Sequence, residues 1–255
     1  MLEIMDYRRS LERSRASRGR QSGQSTFWAH GREWDLFTDV FAPTDSPSTS
    51  VALELLGLTG ELPAPTGSLL EIGCGAGVIA VMAALAGCDR VVASDINPAA
   101  AHNAAANAAR HGVADRLRAV DGDLFAAVPA GERFDTIFWS SNYVMAPESY
   151  VYEHVHERAY VDPGYETHRR FLAQAPHWLA PGGRVLLHFS SRGDLATLLQ
   201  LAEETGRRLQ LVGSTQIDDW GNAVEHMLIE ITALDSPQAM WGPLLRSGEL
   251  ESGRL

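Results

Sequence analysis

One acid and a run of glycines carry the most distinctive chemistry in the sequence. Glu71 precedes the segment Gly73-Cys74-Gly75-Ala76-Gly77, and Asp95 follows about 20 residues beyond the glycines. Glycines let the backbone turn sharply and let a ligand contact it. A carboxylate at the position of Asp95 can accept two hydrogen bonds from a ribose diol. The spacing therefore predicts a site for a ribose-containing ligand.

The flanking segments supply the elements that would position these residues. Residues 68–72 have the pattern of a short buried strand, and residues 78–86 form an apolar, alanine-rich stretch long enough for a helix. Residues 90–94 predict a second strand that ends at Asp95. A strand, glycine loop, helix and strand in this order are typical of a doubly wound nucleotide-binding unit.

The charge of Glu71 narrows the ligand. A carboxylate at this place would repel the phosphates of a dinucleotide and attract a cation. No phosphate-binding lysine follows the loop, because the helix starts Val78-Ile79-Ala80. The segment resembles the first motif, E-x-G-x-G-x-G, of class I S-adenosylmethionine-dependent methyltransferases. S-adenosylmethionine (SAM) carries a sulfonium and an amine but no phosphate, which suits Glu71.

The resemblance extends to further motifs and implies a set of cofactor contacts. Leu179-Ala180-Pro181-Gly182-Gly183 matches a turn common in the class, and Gly122-Asp123-Leu124-Phe125 matches the family segment that holds adenine. For the adenine contact, Asp121 competes with Asp123. The implied SAM contacts are Glu71, Gly73, Cys74, Gly75, Gly77, Asp95, Ile96, Asp123, Leu124 and Ser140.

The acceptor side resembles the release-factor glutamine methyltransferases and the related "small domain" group, with one departure. Val40-Phe41-Ala42-Pro43 resembles their cofactor-covering segment, but the family motif N-P-P-Y reads Ser140-Ser141-Asn142-Tyr143. Only the tyrosine matches. The loss of Asn-Pro-Pro favours an oxygen, another nitrogen or a small molecule as acceptor. An alignment shifted by two residues, with Asn142 in the role of the family asparagine, stays open.

Ser140, Asn142 and Tyr143 are expected to border the transferred methyl group. His154 and His156 are candidate general bases, since histidine titrates near neutral pH. Their alternative role is as surface residues of an ordinary loop. Their spacing is not the i, i+4 pair of a helical metal site, so no metal is predicted.

The prediction is a SAM-dependent methyltransferase that acts on an oxygen or nitrogen of a small-molecule acceptor in specialised metabolism. The alternative is protein glutamine or RNA methylation, with the basic N-terminal segment as its support. A nicotinamide-dependent oxidoreductase is a weaker alternative, and a non-catalytic methyltransferase-like protein is a further one.

Composition limits partners and location. The net charge of −11 disfavours nucleic acid as a partner, because phosphate binding relies on Lys and Arg. Two cysteines give no disulfide framework, and the longest apolar run is too short to span a bilayer. The N-terminus lacks the apolar segment of a signal peptide. A cytoplasmic protein without membrane contact is expected, and the oligomeric state is not predicted.

The expected fold is α/β: a Rossmann-like, doubly wound, seven-stranded and mostly parallel sheet with a final antiparallel strand and an N-terminal helical extension. Residues 1–26 are expected to be a basic arm, either a solvated helix or disordered, with RNA binding as the competing role. Residues 27–66 would cap the site, and residues 67–234 would form the SAM-binding domain. Residues 235–255, with Trp241, would be a peripheral tail.

Overall fold

A computed structural model describes residues 4–21, 23–60, 62–219 and 221–234. The expected tail at 235–255 lies outside these residues. None of the described helices is long and apolar enough to cross a membrane. Short 3-10 helices at Pro43–Asp45, Val155–Ala159 and Ala175–Trp178 supplement the main elements. In chain order the helices and strands are α1 (Tyr7–Arg20), β1 (Ser25–Ala29), β2 (Arg32–Leu36), α2 (Ser48–Leu55), β3 (Ser68–Ile72), α3 (Val78–Leu85), β4 (Arg90–Asp95), α4 (Pro98–Arg110), β5 (Leu117–Asp121), β6 (Phe134–Ser140), β7 (Met145–Ala146), β8 (Asp162–Pro163), α5 (Glu166–Gln174), β9 (Leu179–Ser190), α6 (Leu195–Glu204), β10 (Arg207–Asp219) and β11 (Asn222–Ala233).

The central sheet confirms the predicted fold class. Its seven strands lie in the order β10-β11-β9-β6-β3-β4-β5. The strands from β9 to β5 are mutually parallel, and β11, the last strand of the described chain, is antiparallel to both of its neighbours. Strand order reverses at β3, which lies between β4 and β6. In such sheets a ligand binds beyond the carboxyl ends of the strands at this reversal.

The core occupies both faces of the sheet. Along β3, Leu69 packs into the cluster on the side of α3 and α4, while Leu70 and Ile72 pack into the cluster that includes α5 and α6. Both faces are covered, so the parallel strands consist of nearly continuous apolar runs rather than alternating ones. This explains why the strands around the glycine loop could be located from the sequence.

Helix α4 fastens the β1–β2 hairpin to the domain. Its buried alanines pack on the sheet, and two buried asparagines face the hairpin. Asn107 Oδ1 accepts from the Asp35 amide at 2.8 Å, and Asn103 Nδ2 donates to the Asp35 carbonyl at 2.8 Å. Arg110 adds an ion pair to the Asp35 carboxylate at 2.7 Å. These contacts hold the segment that leads into the ligand cleft.

Helix α1 forms, as one of the expectations for residues 1–26 had it, but it is not freely solvated. One face buries Ser10, Leu11, Ser14 and Ser17. Ser10 Oγ donates to the Tyr160 carbonyl at 2.9 Å. The small polar side chains allow the helix to approach the 155–161 segment closely, so α1 becomes part of the wall of the cleft.

Candidate active site

A cleft opens beyond the carboxyl ends of β3, β4 and β6. It contains about 1460 Å³ of space, counting its open mouth. Of the sequence-predicted site residues, Gly77 and His154 are not among those that line it. Those that line it are Glu71, Gly73, Cys74, Gly75, Asp95, Ile96, Asp123, Leu124, Ser140, Asn142, Tyr143 and His156. The structure therefore brings together both halves of the expected site.

The three loop glycines have different structural tasks. Gly73, Gly75 and Gly77 have φ angles of 67°, 54° and 79°, values that L-residues rarely adopt. A Cβ on Gly75 would meet no atom within 4 Å, whereas a Cβ on Gly77 would lie 2.7 Å from Cα of Ala104. Gly75 thus leaves ligand space open, while Gly77 allows α3 and α4 to pack closely. Burial raises the pKa of the Cys74 thiol, so it stays protonated.

Asp95 ties the glycine loop to the end of β4. Its Oδ2 accepts from the Gly75 amide at 2.9 Å, and its Oδ1 accepts from the Asn97 amide at 2.8 Å. Burial raises the pKa of Asp95, and these amide bonds oppose the rise. Each carboxylate oxygen can accept a second hydrogen bond. The residue is half-buried at the cleft wall, where a diol could bind.

Glu71 is a buried acid with an unpaired oxygen. Its side chain is 2% exposed, and Oε2 has no hydrogen-bond partner. Burial, together with the nearby Asp95 charge, raises the pKa of Glu71 well above its usual value, although a hydrogen bond from the Ala80 amide opposes this. A cationic group in the cleft would stabilise the charged carboxylate. The residues present therefore fit the amine and sulfonium of SAM.

The expected adenine contacts lie on one side of the cleft. Asp123 lines it and Asp121 does not, so the structure favours the first of the two candidates as a cleft residue. Asp123 Oδ2 also accepts from Arg170 Nη1 at 2.9 Å, on a partly exposed pair. Leu124 has a φ of 52°, and its carbonyl accepts from Ser94 Oγ at 3.1 Å, which holds the turn in place.

Asn142 has a side-chain amide whose orientation is fixed by its surroundings. Nδ2 donates to the carbonyls of Arg158 and Val161, each at 2.8 Å. A flipped amide would place Oδ1 against two carbonyl oxygens, which would repel it. Oδ1 itself is buried and has no partner. Asn142 lines the cleft and has a buried acceptor without a partner, two residues after the position where the family asparagine was expected.

Tyr143 and Ser140 are held by residues from other elements. The Tyr143 carbonyl accepts from the Tyr165 hydroxyl at 2.5 Å, and burial raises the pKa of the Tyr143 phenol. Ser140 Oγ lies 2.9 Å from Nδ1 of His188, a buried residue of β9. The backbone at Tyr143 and the side chain of Ser140 therefore have defined positions at and just beyond the end of β6.

The two candidate bases differ in position. His156 lines the cleft, is 2% exposed, and contacts Ser14 Oγ of α1 through Nδ1 at 2.8 Å. Burial lowers the pKa of His156 to about 4, so its ring is neutral at pH 7. His154 lies outside the cleft lining, with Nε2 3.6 Å from Asp39 Oδ1. Within the described residues no cluster of three or more metal-ligating side chains occurs.

Several cleft residues were missed by the sequence analysis. Arg13 of α1, Asp39 and Tyr160 line the cleft, and Asp39 adopts a φ of 61°. The helical spacing of small residues at Ser10, Ser14 and Ser17 was an available signal that α1 packs closely on another segment. The contact of Ser140 with His188 had no signal, because 48 residues separate the two.

Comparisons with known proteins identify similar methyltransferases. A family described as "Methyltransferase domain" matches residues 69–161. A release factor glutamine methyltransferase from Cereibacter sphaeroides is 34% identical over 68% of this chain and 61% of its own length. A ribosomal protein uL3 glutamine methyltransferase from Bordetella pertussis is 31% identical over 66% of this chain and 58% of its own length. The chain thus spans about 60% of these relatives.

A solved structure shows the same fold. The ribosomal protein L11 methylase from Lactobacillus delbrueckii subsp. bulgaricus has a TM-score of 0.52 and 19% identity, over 76% of this chain and 81% of that chain.

These relatives correct one expectation. A small molecule was expected as the acceptor, and therefore as the partner, but the relatives are named for glutamine residues of proteins, so that prediction is wrong. The error came from equating the loss of Asn-Pro-Pro with the loss of an amide site. Asn142 lines the cleft, and its buried Oδ1 is an acceptor without a partner. Together, the sheet order, the glycine loop with its buried acid, and the matched family show that the chain contains a class I S-adenosylmethionine-dependent methyltransferase domain.

Proposed function

We propose that the protein transfers a methyl group from SAM to the side-chain amide nitrogen of a glutamine in a protein substrate. The observation that carries the proposal is the fixed, buried and unpaired Oδ1 of Asn142, a residue that lines the cleft. The names of two relatives give release factor and ribosomal protein uL3 as their substrates, and both are proteins methylated on glutamine.

The chemistry of an amide acceptor suits this oxygen. A glutamine side chain presents two N–H donors, and an acceptor-only group selects for them. Leaving a buried acceptor unpaired costs about 1–3 kcal/mol, which an incoming N–H would recover. A hydroxyl group that accepts the methyl also carries a hydrogen-bond donor, but a thioether sulfur or an aromatic carbon does not. Asn142 therefore favours N–H donors over carbon and sulfur nucleophiles.

The cofactor side of the cleft would hold SAM through the residues already described. Bound SAM would supply an electrophilic methyl group on a sulfonium. We assign Glu71 to the cationic methionine end, Gly75 to backbone approach and Asp95 to the ribose diol. Asp123 would contact the adenine amine, and Leu124 would cover the ring. Most of the rate enhancement would come from holding the acceptor nitrogen in line with the methyl group.

The domain boundaries and the location extend the proposal. Phe41 and Ser48 line the cleft, which supports a capping role for residues 27–66. Arg13 of α1 lines it as well, so residues 1–26 contribute to the site rather than only preceding it. Release factors and ribosomal proteins act in translation, which supports a cytoplasmic location.

The experiment has two stages. Calorimetric titration with S-adenosylhomocysteine compares the wild type with D95A, and a sharp loss of affinity in the variant is expected. Purified release factor and uL3 are then incubated with enzyme and SAM, and methylated residues are mapped by mass spectrometry. Methyl transfer to a glutamine, weakened at least 10-fold by N142A, supports the proposal. Transfer only to other residue types, or equal activity of N142A, refutes it.

A further inference from the structure

A chain of three side chains runs from the cleft into the sheet. Ser140 Oγ lies 2.9 Å from Nδ1 of His188, and Nε2 of His188 lies 3.0 Å from Nδ1 of His226. The two imidazole rings are stacked at 5.1 Å with 14° between their planes. They are 0% and 1% exposed. Both rings are therefore shielded from solvent.

Strand register explains how the chain forms. Ser140 is paired with His188 across β6 and β9, and β11 places His226 beside β9. Ser140 lines the cleft, while the His226 ring contacts Tyr143 edge-on at 6.2 Å. The chain therefore begins at the proposed acceptor site and ends inside the protein.

Tautomers decide what Ser140 offers to the cleft. Each bond along the chain needs one donor and one acceptor, so neutral rings allow two arrangements. When Nδ1 of His188 is unprotonated, the Ser140 hydroxyl donates to it, and only lone pairs face the cleft. When Nδ1 carries the proton, it donates to Ser140, whose own hydrogen is free to face the cleft.

We propose that Ser140, His188 and His226 form a proton relay that keeps Ser140 an acceptor for the substrate amide and takes up the proton released on methylation. The proposal rests on the proposed glutamine acceptor. Asn142 Oδ1 would then accept one N–H of the amide and Ser140 Oγ the other. In this relay Ser140 contacts the substrate and is a catalytic residue, whereas His188 and His226 act through Ser140 as positioning residues.

The proton and charge balance closes. The amide nitrogen forms a bond to the methyl carbon as the carbon–sulfur bond of the sulfonium breaks, and one N–H bond of the amide breaks. Ser140 receives that proton and passes its own to Nδ1 of His188. His188 passes its Nε2 proton to Nδ1 of His226. The positive charge has then moved from sulfur to His226, beside the buried pair of Arg192 and Asp219.

The electrostatics of the buried rings suit this task. Burial and the neighbouring His226 together lower the pKa of His188 to about 3. Burial and the Arg192 charge lower the pKa of His226 to about 4, which Asp219 opposes. Both rings are therefore neutral at pH 7 and free to accept. An N-methylated amide that still holds the extra proton is so strong an acid that a weak base suffices.

The first test does not depend on turnover. Histidine-selective ¹⁵N NMR of the protein without ligand assigns the tautomers, using H188Q and H226Q to identify the signals. We expect Nδ1 of His188 to be unprotonated and Nε2 to be protonated, with a shift in S140A and none in S141A. Ser141 is the matched control because its hydroxyl bonds to the backbone carbonyl of His188 instead of its ring. A protonated Nδ1 overturns the proposal.

The second test measures kcat and KM on the methylated protein substrate. S140A and H188Q should each lower kcat about 100-fold, and the double variant S140A/H188Q should lower it no further. H226Q should shift the pH dependence of kcat, while the affinity of H188Q and H226Q for S-adenosylhomocysteine stays within 2-fold of the wild type. Additive losses, or losses in KM alone, overturn the relay.

The two failures can be told apart. If no glutamine is methylated by the wild type but the NMR tautomers are as expected, the proposed function fails and the relay loses its substrate, so the proposal falls with it. If glutamine is methylated and S140A retains full kcat, the proposed function stands and only the relay is refuted.

Discussion

Acid should destabilise this protein through three buried histidines. Burial lowers the pKa of His156 to about 4, of His188 to about 3 and of His226 to about 4. In the unfolded chain the histidine pKa is about 6.5. Between these values the unfolded state binds protons that the folded state does not. The contribution of these histidines to the free energy of unfolding is therefore fully present above about pH 6.5 and is lost as pH falls toward 4.

The three shifts in histidine pKa set the magnitude of this loss of stability. At pH 5 a histidine of the unfolded chain is almost fully protonated, whereas a buried ring stays neutral. Each such ring therefore lowers the free energy of unfolding by about 2 kcal/mol at this pH. Three such rings amount to about 6 kcal/mol, comparable with the whole free energy of unfolding of a typical domain. Glu71 and Asp95 act in the opposite direction, because burial raises their pKa values. The contribution of one ring must therefore be read from variants rather than from the total slope.

Urea unfolding at pH 7 and pH 5 measures the effect. H226Q removes one ring, and H102Q, a change at an exposed site of α4, is the matched comparison. From pH 7 to pH 5, the wild type should lose about 2 kcal/mol more stability than H226Q. H226Q will also change packing, but that cost is present at both pH values and cancels in the difference. An equal pH-dependent loss in wild type and H226Q would show that His226 is not a buried neutral ring.

Three further changes test the loop, the interior and the cofactor site. G77A should lower the free energy of unfolding by about 3 kcal/mol, because the positive φ of Gly77 and a clash of the new Cβ with α4 combine. G75A should lower it by only about 1 kcal/mol, because the space around its Cβ is open. Similar losses for the two variants in urea unfolding would contradict this reasoning. Burial alone would raise the pKa of Asp162, but the hydrogen bonds from His168 outweigh this effect and leave the pKa lowered. D162N should therefore lower the free energy of unfolding by about 3 kcal/mol at pH 7 and by much less at a pH below the lowered pKa of Asp162. Chemical unfolding at pH 7 and at such an acidic pH measures the difference. E71Q should raise the free energy of unfolding by about 1 kcal/mol and weaken SAM binding at least 10-fold; unchanged calorimetric affinity would remove Glu71 from the cofactor site.

The sequence was sufficient for the parts of the fold that depend on local pattern. Strands β3, β4 and β6 are buried on both faces, and such runs are recognisable without a partner. The glycine loop is equally local, because three positive φ angles require glycine in a short span. Gly77 shows the limit: its residue type was predictable, but its task of packing α3 on α4 depends on Ala104, 27 positions away in a different helix.

The acceptor side was harder, because it is assembled from distant segments. Asn142 is oriented by two carbonyls of the 158–161 segment, and His156 is held by Ser14 of α1. None of these pairings has a periodicity that one sequence reveals. The basic charge of α1 can be read from the sequence, but the position of the helix depends on its buried serine face. The arginine content therefore did not indicate which residues pack.

The altered acceptor motif also shows how a site can keep its chemistry while its residues change. The resemblance to the release-factor glutamine methyltransferases implies that an Asn-Pro-Pro segment offers an amide a side-chain oxygen and a proline carbonyl, and proline cannot donate a backbone N–H. On the proposed function, Asn142 supplies the side-chain oxygen from two positions later, where its amide is held by the carbonyls of Arg158 and Val161. The second acceptor is then a hydroxyl, which works only if its hydrogen is directed elsewhere. His188 is positioned to receive that hydrogen, so S140N, which restores the family residue, should remove the dependence of kcat on His188. If H188Q still lowered kcat about 100-fold in the S140N background, the histidine would act on packing rather than on the serine.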